Sequence, residues 1–318
     1  MPKSKGVRSS QHTAKKESDF HSIAGAWLAI VKRILTKHSG KSWLYQVAQY
    51  IDMNAGTGWQ EGDGGGLGSA LIVPDLAQTL HVPLQCYLCE MHPPTLDRLF
   101  ENVAMARGSF EILEGDHRER IPELAARWAL ERALRYTLLY FDGNADSEIP
   151  TATIRCLTEL DCLRKMDVLL HVSGNSIKRA RGKGLERSRL DQIVAEIGKQ
   201  HVHIQRPDAK WQWTFLLFSD SPILNDKFRK LDFRNVKETQ GREWLERLSY
   251  TKPELEAQRQ PTLPDFSAIP HLPRVSPASG ILGGESAGDE TGGRHLRAVQ
   301  KEEGDRAAPP TLPGMGDF

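Results

Sequence analysis

Segments typical of strands and of helices alternate along the chain, and this alternation constrains the fold more than any other sequence feature. Five apolar runs of strand length begin near residues 47, 84, 109, 136 and 166. Segments whose apolar residues recur at helical spacing follow them. Strands that alternate with helices in this way form a parallel sheet covered by helices, because each connection has to cross back over a face of the sheet.

Two further β-like runs follow the last helical segment. HVHIQRP at 201–207 and KWQWTFLLFSD at 210–220 are joined through a short Pro-Asp-Ala turn, which predicts an antiparallel hairpin. Trp211 and Trp213 alternate with polar residues in the second run, and core packing is expected for one of them. We therefore predict an α/β, Rossmann-like fold: a mostly parallel sheet with a C-terminal antiparallel hairpin strand and helices on both faces.

The two ends of the chain differ in composition from its middle. Nine of the 18 prolines lie in the last 67 residues, which carry few periodic apolar positions. We predict a flexible basic N-terminus over 1–19, a Rossmann-like domain over 20–250 and a Pro/Gly-rich, largely disordered tail over 251–318. The domain opens with FHSIAGAWLAIVKRILTKH at 20–38, an amphipathic helix that is basic toward its C-terminal end.

Composition excludes several classes of protein. The 42 basic and 41 acidic residues leave a net charge of +1, so no overall field draws the chain to nucleic acid or membranes. No apolar stretch approaches the ~18 residues of a membrane-spanning helix, and the N-terminus lacks the apolar core of a secretory signal. Four cysteines are too few for a disulfide framework. We expect a cytoplasmic protein that does not engage a membrane.

The turn after the first strand is rich in glycine. It reads Asp52-Met53-Asn54-Ala55-Gly56-Thr57-Gly58, and such glycines allow positive φ and close approach of a ligand. The spacing is neither the GxGxxG of a dinucleotide site nor the Gly-Lys-Ser/Thr ending of a phosphate-binding loop. A ligand without phosphates fits this turn best.

Polar residues also end the next three strands. Glu90 stands where an acidic residue accepts hydrogen bonds from ribose hydroxyls, and Asp116 follows the third strand. The fourth strand ends in Asp142-Gly143-Asn144. Each feature alone is more often an ordinary loop or a helix N-cap than a ligand site. Four polar strand ends in this order favour a ligand site at the carboxyl ends of the strands.

This order of features over residues 44–220 resembles the class I S-adenosylmethionine (SAM)-dependent methyltransferases, in which the last strand is also reversed. The glycine turn, followed by Gly-Ser-Ala-Leu at 68–71, is similar to the three-Cys-motif partner (TcmP) family, with Ala70 in place of a proline. The resemblance implies a Rossmann-like methyltransferase fold with SAM as its cofactor. The residues that this resemblance places around the methionine part of SAM are Asp52, Asn54, Gly56 and Gly58.

By the same resemblance, Glu90 binds the ribose, Asp116 binds the adenine, and Asp142 and Asn144 face the sulfonium and the substrate. The fourth strand ends in Asp-Gly-Asn-Ala and lacks the Pro-Pro-aromatic segment of enzymes that methylate base amines. The aromatic residue of that segment stacks on a flipped base, so its replacement puts N-methylation of adenine or cytosine in doubt. Asp142 is the candidate for orienting an amine or taking its proton.

A basic cluster follows the fifth strand. Six basic residues and one acidic residue lie between 178 and 189. Four of the basic residues are candidates for contacts with nucleic-acid phosphates: Lys178, Arg179, Arg181 and Lys183. The alternative is a solvated helix face. His117 and His171 end or follow strands near the candidate site, where each is either a base or a hydrogen-bonded structural residue.

A metal site is not expected. Cys86 and Cys89 lie on a strand, where residues three apart point to opposite faces, and no second CxxC completes four ligands. The leading hypothesis is a SAM-binding, methyltransferase-like protein that acts on or with DNA or RNA. The alternative is a non-catalytic, TcmP-like protein that keeps the fold to bind a protein partner. A nicotinamide-dependent enzyme is weaker, because GxGxxG is missing.

Overall fold

Apolar side chains alternate between the two faces of the central strands. In the run Thr137–Asp142, Leu138 and Tyr140 enter one hydrophobic core and Leu139 and Phe141 enter another. A strand whose successive side chains are all buried has to lie inside a sheet that is covered on both faces.

The computed structural model describes residues 11–60, 65–142, 149–174, 177, 190–208, 213–222 and 224–259. The strands are β1 Ala48–Asp52, β2 Leu84–Glu90, β3 Ser109–Glu114, β4 Thr137–Asp142, β5 Asp167–Ser173, β6 His201–Gln205, β7 Trp213–Ser219 and β8 Phe233–Asn235. The helices are α1 Gln11–Lys37, α2 Ser69–Thr79, α3 Pro93–Met105, α4 His117–Trp128, α5 Thr151–Thr158, α6 Leu190–Ile197, α7 Leu224–Arg229, α8 Thr239–Ser249 and α9 Lys252–Arg259, with a 3₁₀ turn at Asp161–Leu163.

The described strands form one mixed sheet in the order β3-β2-β1-β4-β5-β7-β6-β8. Strands β1 to β5 are parallel, whereas β7 runs antiparallel to both β5 and β6. This order confirms the predicted α/β fold with its reversed hairpin strand. From β1 the chain runs outward through β2 to β3, and it then crosses back to β4 on the other side of β1. The crevice at this switch point is where open α/β sheets bind ligands.

Helices cover both faces of the sheet. Buried residues of α1, α2, α3 and α7 share a core with one face, and those of α4, α5, α6 and α8 share a core with the other. Cys86 and Cys89 point into different cores, as expected for residues three apart on a strand. Among the described residues, none of the helices is both long and apolar enough to cross a bilayer.

The structure extends the folded region beyond the predicted bounds. Helix α1 begins at Gln11, within the segment assigned to a flexible N-terminus, because contacts distant in sequence hold its first turns. Strand β8 and helices α7 to α9 were not predicted from the sequence. In the structure β8 pairs with β6 and so extends the sheet. The chain forms a compact unit, Met1–Thr262. The predicted tail lies outside the described residues from 260 onward.

A buried hydrogen bond fastens α1 to the sheet. The indole Nε1 of Trp27 donates to Oδ2 of Asp167 at 2.9 Å, at the start of β5. Burial raises the pKa of Asp167 to about 6, and hydrogen bonds from Ser219 and Trp27 limit the shift. The carboxyl is therefore protonated in the folded protein at pH values where an exposed aspartate is ionised, and stability falls as pH rises from about 4 to 6.

We expect Trp27→Phe to destabilise the fold by about 1–3 kcal/mol at about pH 7.5, where the ionised Asp167 loses a donor. The loss should be smaller at about pH 5, where this carboxyl is protonated. Urea denaturation at both pH values measures the difference. Trp244→Phe, which also shortens a buried indole, is the matched control and should show no such pH dependence. An equal loss at both pH values for Trp27→Phe would contradict this role.

Candidate functional site

The carboxylate of Asp52 organises the turn after β1. Its Oδ2 accepts hydrogen bonds from Ser69 Oγ at 2.6 Å and Tyr50 Oη at 3.0 Å, and its Oδ1 accepts from the backbone N–H of Asn54 at 3.0 Å. Asp52 is fully buried, and burial raises its pKa to about 6 against these donors. Asp52 therefore joins the turn to the start of α2 and fixes the backbone of the turn at which the candidate ligand site lies.

Two glycines shape the turn itself. Gly56 and Gly58 have φ of 60° and 72°, in the left-handed region that side chains disfavour. A side chain at Gly56 would enter open space, whereas one at Gly58 would press on Leu71 at 3.2 Å. The N–H of Gly68, in turn, donates to the carbonyl of Gly58 at 2.8 Å. The turn is thus closed on the α2 side and open above Gly56.

Glu90 links the ends of the first two strands. Its Oε2 accepts from the N–H of Gly56 at 3.0 Å and its Oε1 accepts from the N–H of His92 at 2.8 Å. Each carboxylate oxygen has lone pairs for a further donor. Beside it, Oδ1 of Asn54 is buried without a hydrogen-bond partner among the described residues. Glu90 thus has spare acceptor capacity beside Gly56, and the amide oxygen of Asn54 has an acceptor that no described residue uses.

Asp116 lies at the end of the third strand, as the sequence predicted, and caps α4. Its Oδ1 accepts from the N–H of Arg118 at 2.8 Å, and its side chain is 34% exposed. Nδ1 of His117, 3.8 Å from Asp116, is buried without a hydrogen-bond partner among the described residues, and burial lowers the pKa of His117. The carboxylate combines a cap role with an acceptor open to solvent.

Asp142 is held between two basic side chains. Its Oδ2 lies 2.7 Å from Nζ of Lys16, and its Oδ1 lies 2.6 Å from Nδ1 of His171 at the end of β5. Although burial alone would raise it, the pKa of Asp142 is held well below its usual range by His171 and Lys16. Asp142 is therefore a fixed anion, a poor proton acceptor and a good partner for a histidine.

The first turns of α1 cover this charged group, which we call the Lys16–Asp142–His171 cluster. Lys15 lies over the ring of Trp213 at 5.2 Å, and Phe20 packs on Tyr140 with ring centroids 4.5 Å apart. The ring of His171 contacts that of Trp213, and its Nε2 is buried without a hydrogen-bond partner among the described residues. The cluster thus has one uncommitted nitrogen beneath a helical cover.

The structure brings together only part of the predicted site. Asp52, Asn54, Gly56, Gly58 and Glu90 surround one turn. Asp116 follows β3 and Asp142 ends β4, and β2 and β1 lie between these two strands in the sheet. Outside the described residues lie Asn144, Lys178, Arg179, Arg181 and Lys183, so their assignments stay predictions.

Lys16 was missed by sequence reasoning. It precedes Asp142 by 126 residues and stands among several lysines of a polar segment, so no local signal separates it from its neighbours. His171 was recognised as a candidate base, but its contact with Asp142 follows from the pairing of β4 with β5, which places the two residues opposite each other. No group of three or more metal-binding side chains occurs among the described residues.

Comparison with known proteins identifies similar structures but no family. No family model and no curated protein matches the sequence. Protein LPL1258 from Legionella pneumophila is 15% identical, with a TM-score of 0.43 over 67% of this chain and 89% of that chain. Human Methyltransferase-like protein 13, solved with SAH, is 12% identical, with a TM-score of 0.43 over 80% and 97%.

A SAM-dependent methyltransferase from Thermotoga maritima is 9% identical, with a TM-score of 0.30 over 64% of this chain and 92% of that chain. These scores all lie below 0.5. The fold assignment therefore depends on the strand order and the reversed β7 of this chain itself.

We expect Lys16→Met to raise the pKa of Asp142, because the substitution removes the ammonium that pairs with the carboxylate. Carboxyl ¹³C chemical shifts followed through an acid titration measure the change. Lys15→Met is the matched control, since the neighbouring Lys15 contacts Trp213 and Asp19. A pKa of Asp142 that does not change in Lys16→Met would show that the ion pair contributes nothing in solution.

Proposed function

We propose that this protein binds SAM and transfers its methyl group to a nucleic acid. The observation that carries the proposal is the placement, at one edge of the sheet, of an open glycine turn with free acceptors beside the Lys16–Asp142–His171 cluster. The glycine turn suits an uncharged nucleoside joined to an amino acid. The Lys16–Asp142–His171 cluster suits a methyl acceptor that has to lose a proton.

The residues around the turn fit SAM. The unpartnered Oδ1 of Asn54 accepts from the ammonium of the methionine part, and the open space above Gly56 admits it closely. Glu90, whose oxygens retain lone pairs, accepts from the ribose hydroxyls. Asp116, with its exposed carboxylate, accepts from the adenine amino group. Asp52 fixes the turn on which these contacts depend.

When bound, SAM would supply an electrophilic methyl group on its sulfonium, and the bond between the sulfur and that methyl carbon would break to leave SAH. His171 acts as the general base: its Nε2 takes the proton of the acceptor O–H or N–H as the new bond to the methyl carbon forms. Asp142 contacts Nδ1 and thereby favours the tautomer in which Nε2 is free. Asp142 orients the base, instead of accepting the proton itself as the sequence suggested.

Residues 15–20 of α1 lie over the Lys16–Asp142–His171 cluster, and Lys16 pairs with one carboxylate oxygen of Asp142. These residues, which we call the cover, have to move before a methyl acceptor can enter. We infer that the acceptor displaces these turns, after which the Lys16 ammonium is available to a nearby phosphate. The nucleic-acid part of the proposal is supported by the basic residues of α1 and by the basic stretch 178–189 of the sequence.

The cover also favours a second function, that of a non-catalytic binding protein that retains the fold. In that case Lys16 is a permanent structural partner of Asp142, and the protein recognises a protein partner. Methyl transfer from radiolabelled SAM to total RNA, DNA and protein distinguishes the two functions. Label in RNA or DNA supports the enzyme, and the absence of label in all three supports the binding protein.

Isothermal titration calorimetry tests the cofactor site. We expect SAM and SAH to bind, and Asn54→Ala and Glu90→Ala each to weaken binding about tenfold or more, because each removes an acceptor for a polar ligand group. Glu159→Ala removes an exposed carboxylate that pairs with Arg155 on α5 and is the control. Tighter binding of a nicotinamide dinucleotide than of SAM would contradict the assignment.

His171→Asn tests the base. It should lower the single-turnover rate of methyl transfer about 10²-fold or more and leave the affinity for SAM unchanged. His201→Asn alters a histidine at the opposite end of the sheet, in β6, and should leave the rate unchanged. An equal rate in wild type and His171→Asn would exclude the histidine as base, without bearing on SAM binding.

A further inference from the structure

Three segments meet at the edge of the sheet opposite the cofactor site, where the parallel strands begin. The N–H of Leu134 donates to the carbonyl of Trp43 at 2.7 Å, and the N–H of Tyr45 donates to the carbonyl of Leu134 at 2.9 Å. The N–H of Arg135 donates to the carbonyl of Cys162 at 2.7 Å. Residues 37–45, 131–136 and 161–165 therefore form one continuous surface, which we call the amino-edge face.

The amino-edge face is strongly basic within a chain that is nearly neutral. Its two carboxylates are Glu131, which pairs with Arg135 at 3.0 Å, and Asp161. Its six cations are Lys37, Lys41, Arg132, Arg135, Arg164 and Lys165. The three segments thus carry a net of four positive charges, and all of these cations except Arg135 are exposed or partly exposed. A polyanion would release condensed counterions on binding such a face.

Aromatic side chains stand among these charges. Trp43 is 41% exposed and Tyr45 is 36% exposed, although large apolar residues of this kind are usually buried. The guanidinium of Arg135 lies 4.0 Å from the centre of the Tyr45 ring and 5.1 Å from that of Trp128. This buried cation holds the Tyr45 ring in place, so that little entropy is lost when a planar group stacks on it.

We propose that the amino-edge face binds single-stranded nucleic acid, an inference that rests on the nucleic-acid part of the function proposed above. Bases stack on Trp43 and Tyr45, and Lys41, Arg132 and Arg164 contact the phosphates between them. A single strand is favoured over a duplex because only unpaired bases offer their faces to exposed rings. An acidic protein would match the charge but would leave the aromatic residues without a specific partner.

Helix α1 connects this face to the candidate active site. Lys16 reaches Asp142 at the carboxyl edge, Trp27 reaches Asp167 at the amino edge, and Lys37 ends the helix beside the amino-edge face. A bound nucleic-acid strand that follows the exposed side of α1 would thus extend from the amino-edge face to the Lys16–Asp142–His171 cluster. The face would hold the substrate outside the site of reaction.

Fluorescence anisotropy with the full chain and a labelled single-stranded RNA of about 20 nucleotides tests the proposal, without SAM. DNA of the same sequence, its duplex and polyglutamate are the comparison probes. Trp43→Ala should weaken RNA binding about fivefold or more, and Trp43→Phe should restore most of it. Lys41→Gln with Arg164→Gln should lower the slope of log K against log salt by about 1.4, at 0.7 for each phosphate contact.

Matched controls lie elsewhere on the surface. Trp59→Ala removes another exposed tryptophan, and Lys230→Gln with Arg242→Gln removes two exposed cations; both should bind RNA as the wild type does. No binding of either single strand, equal losses in control and test variants, or polyglutamate binding as tight as that of RNA would overturn the proposal. SAM titration of the same samples shows separately whether the cofactor site is intact.

Discussion

The central strands of the sheet are buried on both faces, so polar side chains reach solvent only where those strands end. Strands β1, β4, β5 and β7 have almost no exposed residues. Burying a charge without partners costs several kcal/mol, which confines ionised groups to the two edges or to satisfied positions such as Asp52. The candidate site at one edge and the amino-edge face at the other both follow from this constraint.

Helix α1 gives these two edges a physical connection. It packs in the same core as α2 and the sheet, and two polar contacts fix its position along the strands: Lys16 with Asp142 and Trp27 with Asp167. The second contact is buried and structural. The first is partly exposed. In the function proposed above, it is exchanged for contacts with a ligand while the second keeps the helix anchored at the amino edge.

The charges around Asp142 determine which chemistry the cluster favours. A carboxylate between an ammonium and an imidazole is stabilised as an anion, and it loses the basicity that proton abstraction requires. The same contact engages Nδ1 of the imidazole, whose Nε2 has no hydrogen-bond partner among the described residues. Methyl transfer itself needs little beyond alignment of donor and acceptor. One base and a rigid cofactor turn are therefore a sufficient set of residues for the proposed reaction.

Much of the fold could be predicted from the sequence, because the signals involved are local. Apolar runs of strand length predicted β1 to β5, and two β-like runs joined by a short Pro-Asp-Ala turn predicted the hairpin of β6 and β7. In the site, strand ends identified Glu90, Asp116 and Asp142, since the carboxyl ends of parallel strands converge. The sequence alone thus determined the architecture and the edge at which a ligand site would lie.

Tertiary structure decided how these residues are used. The pairing of Lys16 with Asp142 spans 126 residues, and the amino-edge face joins three segments that are distant along the chain. Such contacts leave no periodic pattern, because they depend on how whole elements pack and not on local spacing. The burial of Asp52 and its hydrogen bonds to Asn54 and Ser69 likewise appear only in the folded chain, because burial depends on how the elements pack.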